Sequence, residues 1–97
     1  MSEIKVMIDK LKGNLPILEK KIKVRHIGIF GSYVRGKQRR GSDVDVLVEF
    51  AEAVTFFDFL DLEEHLGKLL NKKVDLVMRK ALKPYIGKHI LREVIYA

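Results

Sequence analysis

Residues 31–50 read GSYVRGKQRRGSDVDVLVEF. Asp43 and Asp45 stand two positions apart, with Val44 between them and apolar residues after them. On a strand, that spacing sends both carboxylates to one face. Two like charges so close are costly unless a cation lies between them. Hard cations such as Mg²⁺ take carboxylate oxygens and keep their other positions for water and phosphate. Asp43 and Asp45 therefore read as a divalent-metal clamp. A third carboxylate, Asp75, lies in a second apolar run, KVDLVM, over residues 73–78. If the two strands are neighbours, Asp75 joins the same patch. Three carboxylates can hold two metal ions, or one metal and a base, which suits in-line phosphoryl or nucleotidyl transfer.

Gly31 and Ser32 precede this acidic run. A strand ending in Gly-Ser at the start of a helical turn presents free backbone N–H groups and a hydroxyl to an anion, and glycine lets the backbone approach closely. Arg35, one turn later, is placed to reach nucleotide phosphates. Gly36 and Gly41 let the loop fold back towards the aspartates. Ser42 completes the candidate nucleotide-binding set, shaping the turn or orienting the neighbouring carboxylate. Lys37, Arg39 and Arg40 are either a solvated turn or a contact to triphosphate or partner. Each piece is common alone. Gly-Ser dipeptides are mostly turns, and an aspartate within KVDLV can simply guard a sheet edge. The joint pattern carries the argument.

These residues need a scaffold. VRHIGIF, residues 24–30, reads as a strand ending at Gly31, and DVDVLVEF, residues 43–50, as a second. Between them there is room for one helical turn. Ile4, Ile8, Leu11, Leu15, Leu18 and Ile22 recur at helical spacing. Gly13, Asn14 and Pro16 interrupt that pattern, predicting a helix to about Lys12 and a second, short one capped by Asn14. Thr55 and Asp58 resemble a capping box opening a helix over 56–70. Residues 73–78 form the third strand. Pro84 opens a last helix whose buried face is expected to be Ile86, Ile90, Leu91, Val94 and Ile95. Phe56, Phe57 and Phe59 are expected in the core, and Tyr85 and Tyr96 at its edge. The order helix, strand, strand, helix, strand, helix predicts an α/β (α+β) fold, a small mixed sheet flanked by helices.

The 97 residues predict a single domain over 1–97. With 47% hydrophobic and 33% charged residues, the composition is that of a globular domain and argues against disorder. No cysteine is present, so disulfides and thiolate metal sites are excluded. No stretch approaches the ~20 apolar residues of a membrane span, and the charged start has no signal-peptide core. A cytoplasmic location, with no membrane partner, follows by elimination. The net charge of +6 points to an anionic partner. Three acidic groups on one face argue against that face binding nucleic acid directly. His26, His65 and His89 show no metal-ligand spacing.

The run from Gly31 to Phe50, with Gly-Ser, a spacer of about ten residues, Asp-x-Asp and a later strand carboxylate, resembles the signature of the DNA polymerase β-like nucleotidyltransferases. The short chain, the KVDLV strand and the ending ALKPYIGKHILREVIYA are similar to its minimal nucleotidyltransferases, the antitoxin partners of HEPN-domain toxins. The resemblance covers essentially the whole chain. It implies a palm-like sheet and Mg²⁺-dependent transfer of AMP from ATP. It implies that Gly31 and Ser32 hold the nucleoside triphosphate and that Asp43 and Asp45 bind metal. Asp75 would complete the metal site or take the proton of the attacking hydroxyl. It also implies a tyrosine of an HEPN RNase toxin as acceptor, making the chain a type VII-like antitoxin. Two alternatives stay open: neutralisation by binding alone, and an RNA or small-molecule acceptor.

Overall fold

The computed structural model describes residues 2–97. In chain order the elements are α1 (Glu3–Ile22), β1 (Val24–Phe30), α2 (Ser32–Arg35), β2 (Val44–Phe50), α3 (Phe56–Leu70), β3 (Val74–Met78), a 3₁₀ turn (Arg79–Ala81), α4 (Pro84–Glu93) and β4 (Ile95–Tyr96). The strands form one mixed sheet in the order β3-β2-β1-β4. β2 is central. It runs antiparallel to β1 and parallel to β3. This is the small mixed sheet flanked by helices that the alternation of strands and helices predicts.

The period-two reading of β2 holds. Val44, Val46 and Val48 are fully buried, facing the core with Ile27 and Ile29 of β1. α1 and α3 cover that face, through Met7, Ile8, Leu11 and Leu18 and through Leu62, Leu66 and Leu70. The opposite face carries Asp45 and Asp75 at one end, with Leu47 buried beside them in sequence on β2. One strand thus has an apolar side that anchors it and a polar side that it displays.

α1 is a single helix of 20 residues, not the two expected. Pro16 lies inside it. An interior proline removes one helical hydrogen bond and costs about 3 kcal/mol. The stripe from Met7 and Ile8 through Leu11 to Leu18 runs unbroken against the sheet, and that burial overrides the local break signal. Asn14 does not cap a helix. Its side chain reaches back to the Lys10 carbonyl and across to His65, at 3.5 and 3.2 Å. The helix is instead capped by Ser2, whose hydroxyl accepts from the Lys5 N–H, and ends at Lys23 in the left-handed region.

α3 opens as expected. Thr55 and Asp58 form a reciprocal capping box. Phe56 and Phe57 do not enter the core; they are 68% and 76% exposed in the first turn, before the inward stripe begins at Phe59. The apolar face of α4 is also more open than expected. Only Gly87 is buried in that helix, while Ile86 and Leu91 are exposed. Gly87 lies against Leu82, where an added Cβ would come within 3.3 Å. The helix stops at Glu93, so Ile95 belongs to β4, a strand the periodicity did not reveal. Tyr85 and Tyr96 are exposed rather than at the core edge, their rings set edge-on to His89 and His26. β4 can pair with β1 only because residue 28 is glycine. A Cβ there would fall 2.7 Å from the Ile95 carbonyl oxygen and 2.8 Å from Val94 Cγ2. On the other rim, the Glu63 carboxylate accepts the Leu76 N–H of β3 at 2.9 Å.

Gly13 shows how much α1 gives away locally. It is helical, and a Cβ there would meet nothing within 4 Å. Gly13→Ala should stabilise the fold by ~0.5–1 kcal/mol through lower unfolded-chain entropy. In a chain of this size that is a rise of several degrees in Tm, read by calorimetry. An unchanged or lower Tm would contradict the helical assignment across residues 12–16.

Candidate active site

The register of the sheet assembles the site. Asp45 of β2 lies opposite Phe30 of β1 and opposite Asp75 of β3. Asp45 and Asp75 therefore share a face as direct neighbours, as expected if the two strands adjoin. Asp43 is one residue before β2, where the Val44 N–H donates to the Lys73 carbonyl at 2.8 Å and continues the β2–β3 pairing. Asp75 is exposed, and Asp43 and Asp45 are half-buried.

β1 ends in Phe30, and Gly31 turns the chain into α2 with φ of 82° and ψ of −150°. A Cβ at this position would overlap the Asp45 carboxylate, 3.0 Å from its Cγ. Any side chain here would also be strained by the backbone. Gly31 is thus fixed by the aspartate it faces. Its carbonyl accepts from the Val34 and Arg35 N–H groups at 3.0 and 3.1 Å, which winds the single turn of α2. That turn ends at Gly36, also left-handed. Tyr33 is buried beneath it, with the Lys72 ammonium 5.7 Å from its ring centroid.

The loop from Lys37 to Ser42 closes on itself. The Ser42 hydroxyl accepts the Arg39 N–H at 2.8 Å, and the Ser42 N–H donates to the Arg39 carbonyl at 2.9 Å. Ser42 therefore shapes the turn that delivers Asp43. Lys37, Arg39 and Arg40 are exposed on this loop.

Sequence reasoning missed Glu93, the last residue of α4. Its carboxylate accepts from the Gly31 N–H at 3.0 Å and from Arg35 Nη1 at 3.2 and 3.0 Å. These are the donors expected from the sequence to face a phosphate. One signal was available: an acidic residue at a helix C-terminus is set against the helix dipole, and such a misfit asks for a partner elsewhere.

A groove of about 680 Å³ opens here, between Gly31, Arg35, Asp45 and Asp75 on one side and Ile86, His89 and Glu93 of α4 on the other. A second cavity, about 460 Å³, lies at the far end of β2 around Phe50, Met78 and Arg79. There Arg79 is already paired with Glu49 at 2.7 Å.

The electrostatics of the groove are unbalanced. Burial pushes the Asp45 carboxyl above its ordinary value of 3.8, and Asp75 and then Asp43 push the same way. Arg35 opposes them, while Glu93 adds to the rise. Arg35 is itself paired with Glu93 through Nη1, so its charge is shared between that carboxylate and Asp45. Among the described residues, no three acidic or histidine side chains converge into a ready-made metal cage. A donor set of two carboxylates completed by phosphate and water is what Mg²⁺ accepts. The crowded, partly desolvated Asp45 is a group that a cation would relieve.

A raised carboxyl pKa in the folded state means that ionising Asp45 costs stability. The cost is absent below the unfolded-state value, grows as pH rises through the folded-state value, and is complete above it. Asp45→Asn should therefore raise the Tm of the ligand-free protein at pH 7. The gain should disappear as pH falls below about 4, where both forms are neutral. Melting curves of the two proteins from pH 3 to 8 would check this; a gain independent of pH would mean that ionising Asp45 costs the fold nothing.

The nucleotidyltransferase domain family matches residues 11–97. The chain is 52% identical over 79 residues to the protein adenylyltransferase MntA of Thermococcus cleftensis, covering 81% of this chain and 80% of that one. It superposes with a TM-score of 0.79 and 32% identity on a solved structure assigned as a minimal nucleotidyltransferase, over 98% of this chain and 95% of the other. A toxin–antitoxin structure with AMP-PNP follows at a TM-score of 0.69 and 28% identity, over 99% of this chain and 72% of that one. The chain belongs to the nucleotidyltransferase domain family and is one of its minimal nucleotidyltransferases, akin to MntA.

Proposed function

We propose that this protein transfers AMP from ATP to a tyrosine hydroxyl of an HEPN-domain toxin, and so acts as its antitoxin in the cytoplasm. The observation that carries this reading is the in-register Asp45–Asp75 pair standing against the Gly31 turn. An anionic centre and a set of anion-binding donors share one groove. That is the arrangement a magnesium–triphosphate substrate requires.

Asp43 and Asp45 are the residues that would hold Mg²⁺, with Asp75 completing the set or serving as base. A divalent ion held by these carboxylates would supply positive charge against the charge that develops during phosphoryl transfer. The chain's own residues do the rest. The Gly31 N–H, the Ser32 hydroxyl and the Arg35 guanidinium bind and orient the triphosphate oxygens. Asp75, exposed at the rim of the groove, takes the proton of the acceptor hydroxyl. The hydroxyl oxygen bonds to the α-phosphorus, the bond to the β-phosphate bridge breaks, and pyrophosphate leaves. The groove orients a nucleotide but encloses little of an acceptor. The partner must therefore bring its own tyrosine into line, and positioning of this kind supplies much of the rate.

The test is the intact mass of an HEPN-type partner incubated with this protein, ATP and Mg²⁺. A gain of one or more AMP units is expected. It should be lost with chelator and lost, by at least ~100-fold in rate, in the Asp43→Asn, Asp45→Asn double variant. A stable complex without mass gain would make occlusion the mechanism. Neither complex nor mass gain would exclude this acceptor and return the question to RNA and small molecules.

A further inference from the structure

Glu93 raises a conflict within the site. The Gly31 N–H and the Nη1 of Arg35 cannot serve a triphosphate while they serve a carboxylate. Glu93 accepts from both, through three contacts of 3.0–3.2 Å, and its side chain is only 22% exposed. Charge-assisted contacts of this kind are the stronger class of protein hydrogen bond. The two carboxylate oxygens stand in for phosphate oxygens.

Glu93 also matters to the segment that bears it. α4 buries only Gly87. Beyond the helix, β4 pairs with β1 at two positions, Gly28↔Tyr96 and Ile29↔Ile95, and the Ala97 N–H donates to the Ile27 carbonyl at 2.9 Å. Ile86, Leu91 and Ile95 remain exposed. Residues 84–97 are thus held by the glycine contact, by the short pairing of β4 and Ala97 with β1, by the Tyr96 ring against His26 and by the Glu93 carboxylate. Removing the last of these removes the side-chain anchor of the segment and leaves it on its backbone pairing with β1.

We infer that Glu93 is a resident anion of the nucleotide site: its carboxylate occupies the Gly31 N–H and Arg35 until the triphosphate displaces it, so that nucleotide binding loosens the C-terminal segment 84–97. The inference rests on the nucleotide reading above and adds to it a positioning residue and a coupling. No charge is stranded in the exchange. Arg35 passes from one anion to another, and the freed carboxylate returns to water at the open side of the groove. In the ligand-free protein Glu93 keeps Arg35 aimed at the site. In the loaded protein the same carboxylate has no donor left to hold it.

The experiment compares wild type with Glu93→Gln, which keeps the shape and removes the charge. ATP binding with Mg²⁺ is measured by calorimetry. Hydrogen exchange of residues 84–97 is followed with and without AMP-PNP and Mg²⁺. Glu93→Gln should bind ATP about three- to tenfold more tightly. In wild type, nucleotide should speed exchange of the Val94 and Ala97 amides. In Glu93→Gln these amides should already exchange faster without nucleotide. Exchange in wild type needs no variant, so a Glu93→Gln protein that failed to fold would still leave the coupling tested. Wild type that binds ATP while segment 84–97 becomes no less protected overturns this inference alone. So does a folded Glu93→Gln that binds ATP equally or more weakly. Absence of ATP binding to wild type overturns the nucleotide reading and this inference with it.

Discussion

The register of β2 against its two neighbours is the constraint on which the site depends. β2 is pinned by Val44, Val46 and Val48, all fully buried. Because side chains alternate along a strand, burying those valines forces Asp45 onto the other face. The parallel register with β3 then sets Asp75 beside it, and the antiparallel register with β1 brings the chain out at Phe30 and Gly31 next to the same carboxylate. A slip of one residue in either pairing would send the aspartate into the core. The hydrophobic energy that fixes the fold is therefore the energy that fixes the chemistry.

The cost of this placement is electrostatic. Asp45 is partly desolvated among like charges, and its one opposing cation is shared with Glu93. Catalytic sites commonly hold such strain, since a group that water or protein already satisfied would have little to offer a ligand. Here the strain is local. Asp43 sits at the end of a loop, Asp75 is exposed, and the valines on the reverse side are unaffected. The core can stabilise the sheet while its open end stays electrostatically unsatisfied.

Much of this was legible in the residues. The alternation in DVDVLV shows both the buried and the displayed face, and the Gly-Ser turn and its distance from the aspartates follow from reading along the chain. Contacts between distant segments were not legible in the same way. Gly31 and Glu93 are 62 residues apart, and nothing in the LREV stretch marks its glutamate except its poor fit to a helix C-terminus. β4 was hidden for a similar reason: two residues carry no periodicity, and only the glycine at position 28 hints that another backbone comes close. In α1 the error ran the other way. Gly13, Asn14 and Pro16 are sound local stop signals, but a stripe of buried residues on both sides of them outweighs the propensity. The exposed Phe56, Phe57 and Tyr85 are apolar residues whose surroundings, not their type, decide their burial.

The hydrogen bond from the Leu76 amide to Glu63 has a meaning beyond local satisfaction. A sheet rim with open amides is a template on which further strands can grow, one molecule onto the next. On the β3 side, α3 lays a carboxylate across that template. On the β4 side the outermost strand is two residues long, which offers an incoming strand little to pair with. Both rims thus carry a feature of the kind that discourages growth of a sheet by strand addition: a carboxylate on an outward amide at one, a very short outer strand at the other.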